Sequence, residues 1–142
     1  MAKAEAVGGC IVLDASALLA LFNEELGADE VMKAFSKPCL LSAVNHTEVL
    51  TKLLDKGLSP ADAATVMTSV ELQIVAFDAA QSSDAAWQRG VTQAVGLSSG
   101  DRACLALARA KNAVVLTADK PWLQVAKAVG VEIQCIRQEV AL

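Results

Sequence analysis

An α/β fold, with a central parallel sheet of about five strands and helices on both faces, is predicted for the whole chain, 1–142, as one domain. Three observations carry it. Short apolar, β-rich runs recur along the chain; segments with apolar residues at helical spacing separate them; and the first run, Ile11-Val12-Leu13, is apolar throughout, as a strand covered on both faces must be.

The elements follow in order. Strands are expected at Cys10 to Leu13, Cys39 to Leu41, Gln73 to Phe77, Ala113 to Leu116 and Glu132 to Ile136. Between them, helical spacing covers Ser16 to Phe22 and Ala28 to Phe35. Ala43 to Lys56 and Pro60 to Val70 form a pair parted by the turn Asp55-Lys56-Gly57. Ala79 to Val95, Gly100 to Lys111 and Pro121 to Val129 complete the set, the last stopped by Gly130. Strand, helix and strand in repeated order demand right-handed crossovers and a parallel sheet. No linker, repeat or low-complexity stretch interrupts the pattern.

Composition narrows the function. With 12 Lys+Arg against 16 Asp+Glu, the formal net charge is -4, which disfavours a general electrostatic grip on nucleic acid. A polyanion would have to be met locally or through a cation. Hydrophobic residues make up 54%, much of it alanine and valine, which favours tightly packed helices and an apolar surface kept for a partner. No apolar run approaches a membrane span and the first residues lack the long apolar stretch of a signal peptide, so a cytoplasmic location is expected. Cys10, Cys39, Cys104 and Cys135 are scattered, without zinc-type spacing, and read as small buried hydrophobes.

Four acids stand out by position. Asp14 ends the first strand, Glu48 lies early in the helix after the second, Asp101 opens a helix, and Asp119 follows the fourth strand. In a parallel sheet all four share one edge, the edge where open α/β sheets bind ligands. Each also has a structural explanation. Asp14 and Asp119 can be N-caps, the latter with Pro121 in the first turn; Ser98 with Asp101, and Asn45 with Glu48, imitate capping boxes; Glu48 can pair with Lys52. Capping alone is served by Ser, Thr or Asn, so recurring carboxylates favour a hard cation, Mg2+ or Mn2+. Two carboxylates ~5 Å apart repel by about 3 kcal/mol at an effective dielectric of 20, a strain that proton or metal relieves.

Asp14-x-Ser16 after a strand, Glu48 in its helix, the run from Gly100-Asp101-Arg102 to Ala108, and Thr117-Ala118-Asp119 together resemble the PIN domain, specifically the VapC-type ribonuclease toxins of bacterial toxin-antitoxin pairs. The resemblance runs from Ile11 to about Cys135. It implies an acidic pocket of Asp14, Glu48, Asp101 and Asp119, with Ser16 and Thr117 as supporting polar groups. Asp14 and Asp101 are the first choices as direct metal ligands, with Glu48 and Asp119 direct or through water. It further implies metal-dependent RNA hydrolysis, a homodimer and a cognate antitoxin. Arg102, Lys120 and Trp122 are candidate RNA contacts, as are Lys52 and Lys56. His46 stands where an apolar or aromatic residue is expected. The alternative function is a catalytically silent PIN-like module acting in protein assembly. Phosphoaspartate chemistry fits poorly with Ser16 in place of a second acid, and a dinucleotide loop fails because Gly8-Gly9 precedes the first strand.

Overall fold

The computed structural model describes residues 9–137. Five strands form one parallel sheet: β1 (Ile11–Leu13), β2 (Cys39–Ser42), β3 (Gln73–Val75), β4 (Val114–Thr117) and β5 (Ile133–Cys135). Their spatial order is β3-β2-β1-β4-β5. The chain starts in the middle, builds outward through β2 to β3, then returns to the other side of β1. The order therefore reverses between β1 and β4, the switch point at which crevices open beyond the strand ends.

Helices α1 (Ala15–Phe22), α2 (Ala28–Ala34), α3 (Ala43–Asp55) and α4 (Pro60–Met67) come from the first half. The second half supplies α5 (Ala79–Trp87), α6 (Arg89–Thr92), α7 (Ser99–Lys111) and α8 (Ala126–Val129). Alternation along the strands sorts them into two layers. Leu13, Leu41 and Leu116 point into a core shared with Ala17, Leu18, Val31, Val49 and Leu53 of α1 to α3. Val12, Leu40, Val115 and Ile133 point the other way, onto Cys104, Leu105 and Leu107 of α7 and onto Trp122, Val125 and Val129. Register keeps this consistent: Val12 pairs with both Leu40 and Val115, and Leu13 with Leu116.

All five expected strands are present, with several ends trimmed by one or two residues and with β2 and β4 each running one residue further, to Ser42 and Thr117. Two expected helices differ. The segment 79–95 is broken into α5, α6 and a 3-10 turn at Gln93–Val95, because the stretch around Gly90 has too little apolar periodicity to hold one axis. The segment after Pro121 begins as a 3-10 helix, Lys120–Val125, before α8. Trp122 there is fully buried in the core, which removes it as an RNA contact: its ring has no free face.

Candidate active site

Asp14 follows β1 and is the N-cap of α1. Its backbone is extended (φ -87°, ψ 175°) and its Oδ1 accepts from the Ala17 amide at 2.8 Å. Capping is only part of its bonding. The Ser16 hydroxyl donates to both carboxylate oxygens, at 2.8 and 2.9 Å, and Thr117 Oγ1 donates to Oδ2 at 2.6 Å. That last bond crosses the switch point, from the end of β4 to the end of β1. Asp14 is 4% exposed, and burial pushes its carboxyl up to about 6 against the pull of these donors. The charge of Asp101 pushes in the same direction.

Ser16 and Thr117 are themselves locked. Ser16 Oγ accepts from the Ala118 amide at 2.9 Å, and Thr117 Oγ1 from the Asp119 amide at 3.0 Å. The two hydroxyls, 3.3 Å apart, tie the loop after β4 to the start of α1. Thus the two expected supporting groups both touch Asp14 directly.

Asp101 sits in the first turn of α7, inside a complete capping box: its amide donates to Ser98 Oγ at 3.1 Å and its Oδ2 accepts from the Ser98 amide at 2.9 Å. Its carboxyl is raised, first by burial and further by the charge of Asp119. Asp119 is exposed and makes no side-chain cap, contrary to the N-cap expected for it. Its carboxylate is left over for other work.

Glu48 lies two turns into α3, whose N-cap is Ser42, so Asn45 is not a cap. Glu48 does not reach for Lys52; its Oε1 accepts from Asn45 Nδ2 at 2.7 Å. The same amide donates to the Gly100 carbonyl at 3.1 Å, joining α3 to the start of α7. A Cβ on Gly100 would stand 2.7 Å from Glu48 Oε2, so the carboxylate lies against a backbone that only glycine leaves open.

Cys104, one turn below Asp101, records the convergence. Buried completely, its thiol is held well above its usual range by burial and then by the charges of Asp14, Asp101 and Glu48. The charges of all three are therefore felt at this point of α7, and that of Asp119 at Asp101. As the side chains stand, however, no group of three or more His, Cys, Asp or Glu among the described residues is disposed to hold a metal ion. Both Asp14 oxygens are engaged, by two hydroxyls and an amide.

The basic candidates are less committed to the site. Arg102 Nη1 donates to the Ala85 carbonyl at 2.8 Å, a helix-packing contact, although its charge lowers the Asp101 carboxyl. Lys120 is exposed beside Asp119, and Lys52 and Lys56 are exposed along α3. Lys56 bonds Asn23 Oδ1.

Comparison with known proteins decides the family. The sequence profile of the PIN domain matches residues 11–128. The chain belongs to the PIN-domain family. No curated protein sequence matches it significantly. Among solved structures, this PIN domain is similar to a toxin-antitoxin complex from Klebsiella pneumoniae, at 16% identity and a TM-score of 0.69, covering 91% of this chain and 99% of that one. VapBC2 from Rickettsia felis, solved bound to a promoter DNA fragment, gives 14% identity and 0.67, covering 89% and 98%. VapC20 from Mycobacterium tuberculosis, described as a sarcin-ricin-loop-cleaving toxin, gives 15% and 0.60, covering 76% and 87%. At these identities the likeness establishes the fold.

Asn45 and Gly100 were not singled out in the sequence as functional. The signal was present in the i,i+3 spacing of Asn45 and Glu48, and in a glycine placed within the first turn of α7, where it weakens a helix unless space demands it.

Proposed function

We propose that this PIN domain is a divalent-metal-dependent endoribonuclease that hydrolyses RNA phosphodiester bonds as the toxin of a VapBC-type toxin-antitoxin pair. The observation that carries it is the placing of Glu48 against Gly100, beside Asp101 at the start of α7, with the charges of Asp14, Glu48 and Asp101 all felt at Cys104 and Asp14 kept buried where a neutral cap would cost less.

The donor set suits Mg2+ or Mn2+. It consists of hard carboxylate oxygens, and its raised carboxyl groups are those a cation would return to their ionised form. Asp14 and Asp101 would hold the ion directly, with Glu48 and Asp119 direct or through water. A bound divalent ion supplies an ionised water as nucleophile and a positive charge for the departing oxygen. The chain itself supplies orientation. Thr117 and Ser16 hold the Asp14 carboxylate, Asn45 holds Glu48, and the Ser98 box holds Asp101, which fixes where each carboxylate stands. Exposed Asp119 is the member free to move a proton or a water at the mouth.

The charge balance follows. With the four site acids set aside, the remaining acids equal the 12 bases in number, so a cation in the pocket removes the main obstacle to a polyanion. The VapBC neighbours were solved as antitoxin complexes, some with DNA, which supports an antitoxin partner; a homodimer belongs to the same proposal. No helix among the described residues is long and apolar enough to cross a membrane, in keeping with a cytoplasmic toxin.

The test is cleavage of a mixed RNA pool with Mn2+ or Mg2+ by wild type and Asp101→Asn. Metal-dependent cleavage lost in the variant supports the proposal. A folded wild type that cuts nothing leaves the silent binding module as the reading. Sequencing the new 5′ ends then identifies the RNA.

A further inference from the structure

We infer that Asn45 is a positioning residue and that, together with the bare Cα of Gly100, it forms the seat that holds the Glu48 carboxylate over the first turn of α7. The inference rests on the proposed metal-dependent site and goes a step further, to what makes Glu48 usable in it.

Asn45 and Glu48 are three residues apart on α3 and so share a face. The amide Nδ2 lies between Glu48 Oε1 and the Gly100 carbonyl, 2.7 and 3.1 Å away. Both neighbours are acceptors, so the amide can face them only with its nitrogen; turned over, its carbonyl would meet two other oxygens. Asn45 is 1% exposed, and its Oδ1 is buried without a partner. A side chain serving packing alone would do better as Leu, of similar size and with nothing left unsatisfied. The polar end that is satisfied is the one on Glu48.

Gly100 supplies the other wall. A Cβ there would meet Glu48 Oε2 at 2.7 Å, Oε1 at 2.9 Å and Cδ at 3.0 Å, so any side chain pushes the whole carboxylate off the helix start. Gly100 is buried inside α7, where alanine would ordinarily favour the helix. Its absence of side chain is explained by Glu48.

The experiment compares Asn45→Leu and Gly100→Ala in the wild-type and Glu48→Gln backgrounds, reading Mn2+ affinity by calorimetry, and kcat and KM on a cleaved RNA. Each single variant should lower Mn2+ affinity or kcat roughly 10- to 100-fold, the range for losing a group that orients a metal-site ligand, with KM for RNA nearly unchanged. In Glu48→Gln, where the carboxylate is already gone, neither should lower Mn2+ affinity further beyond about twofold. Equal losses in both backgrounds, or singles that match wild type, overturn the inference while leaving the metal site standing. If folded wild type neither binds Mn2+ nor cleaves RNA, the proposed function itself fails and this inference falls with it. Gly100→Ala guards against misfolding of Asn45→Leu, because it leaves the Asn45 amide in place.

Discussion

Two aspartates cap two helices of this protein in nearly the same way and differ in everything else. Asp14 precedes α1 with φ -87° and ψ 175°; Asp78 precedes α5 with φ -87° and ψ 178°. Each takes one amide three residues on, Ala17 or Gln81, at 2.8 Å. Asp78 is exposed and its side chain has no other hydrogen bond among the described residues. Asp14 is buried at the switch point, takes two hydroxyls besides the amide, and has its carboxyl pushed up to about 6. A cap requires none of this. Whatever Asp14 carries beyond Asp78 is the part of the molecule that capping leaves unexplained, and it is this excess that the proposed chemistry uses.

The widest separation between the two is expected in cleavage. Asp14→Asn keeps an oxygen for the Ala17 amide but gives up the charge, and should lower metal-dependent RNA cleavage by on the order of 1000-fold or more. Asp78→Asn should cleave as wild type does. Comparable rates for the two variants in a single-turnover assay would put Asp14 back among ordinary caps.

Next comes pH. The Asp14 carboxyl titrates at 3.8 ordinarily and at about 6 when folded. Its folded value is the higher one, so its contribution to stability is complete below about 4 and is lost as pH rises toward about 6. A shift of this size corresponds to roughly 3 kcal/mol. Without metal, the stability of Asp14→Asn relative to wild type should therefore grow by up to that amount between pH 4 and 7, while Asp78→Asn shows no such window. Denaturant titrations at a series of pH values measure it, and a flat difference would mean that Asp14 is better solvated than its 4% exposure implies.

Metal should reverse that penalty. At a hundredfold excess over its dissociation constant, Mn2+ stabilises the folded chain by roughly 2.7 kcal/mol through linkage, seen as a rise in Tm. Asp14→Asn should lose most of this and Asp78→Asn none. Because the ion needs the ionised carboxylate, the rise should shrink below pH 6; a rise that is the same at pH 5 and pH 8 would place the ion elsewhere.

The same comparison shows what could be read before the fold was known. The sheet was legible because its strands are apolar runs at the right intervals, and Asp14, Glu48, Asp101 and Asp119 because carboxylates recur at strand ends. Which acids also cap was not legible. Asp119 before Lys120-Pro121 has every local mark of a cap and makes none, because Pro121 has no amide to offer and the Trp122 amide already bonds the Asp119 backbone carbonyl in a 3-10 turn. Trp122 has a base-stacking ring in sequence and a core ring in space, a matter of which side of the 3-10 turn faces β4 and α7. Asn45 was hidden for the same reason: its meaning lies in Gly100, 55 positions away, and no local pattern joins them.

The smallest effect belongs to Asp78 itself. Asp78→Ala removes the bond to the amide of buried Gln81 and leaves that donor without its acceptor, at a cost of about 1 kcal/mol in denaturant unfolding. Cleavage and metal affinity should not change, since nothing in the site touches Asp78. The variant matters because it isolates capping from the rest. Asp14→Ala loses a cap of the same geometry, so its stability loss minus that of Asp78→Ala measures what the Ser16 and Thr117 bonds return against burial. If burial dominates, as the raised carboxyl implies, Asp14→Ala at pH 7.5 without metal should cost no more than Asp78→Ala. A markedly larger cost would mean that the hydroxyls outweigh the buried charge, and that the pocket is already relaxed before any cation arrives.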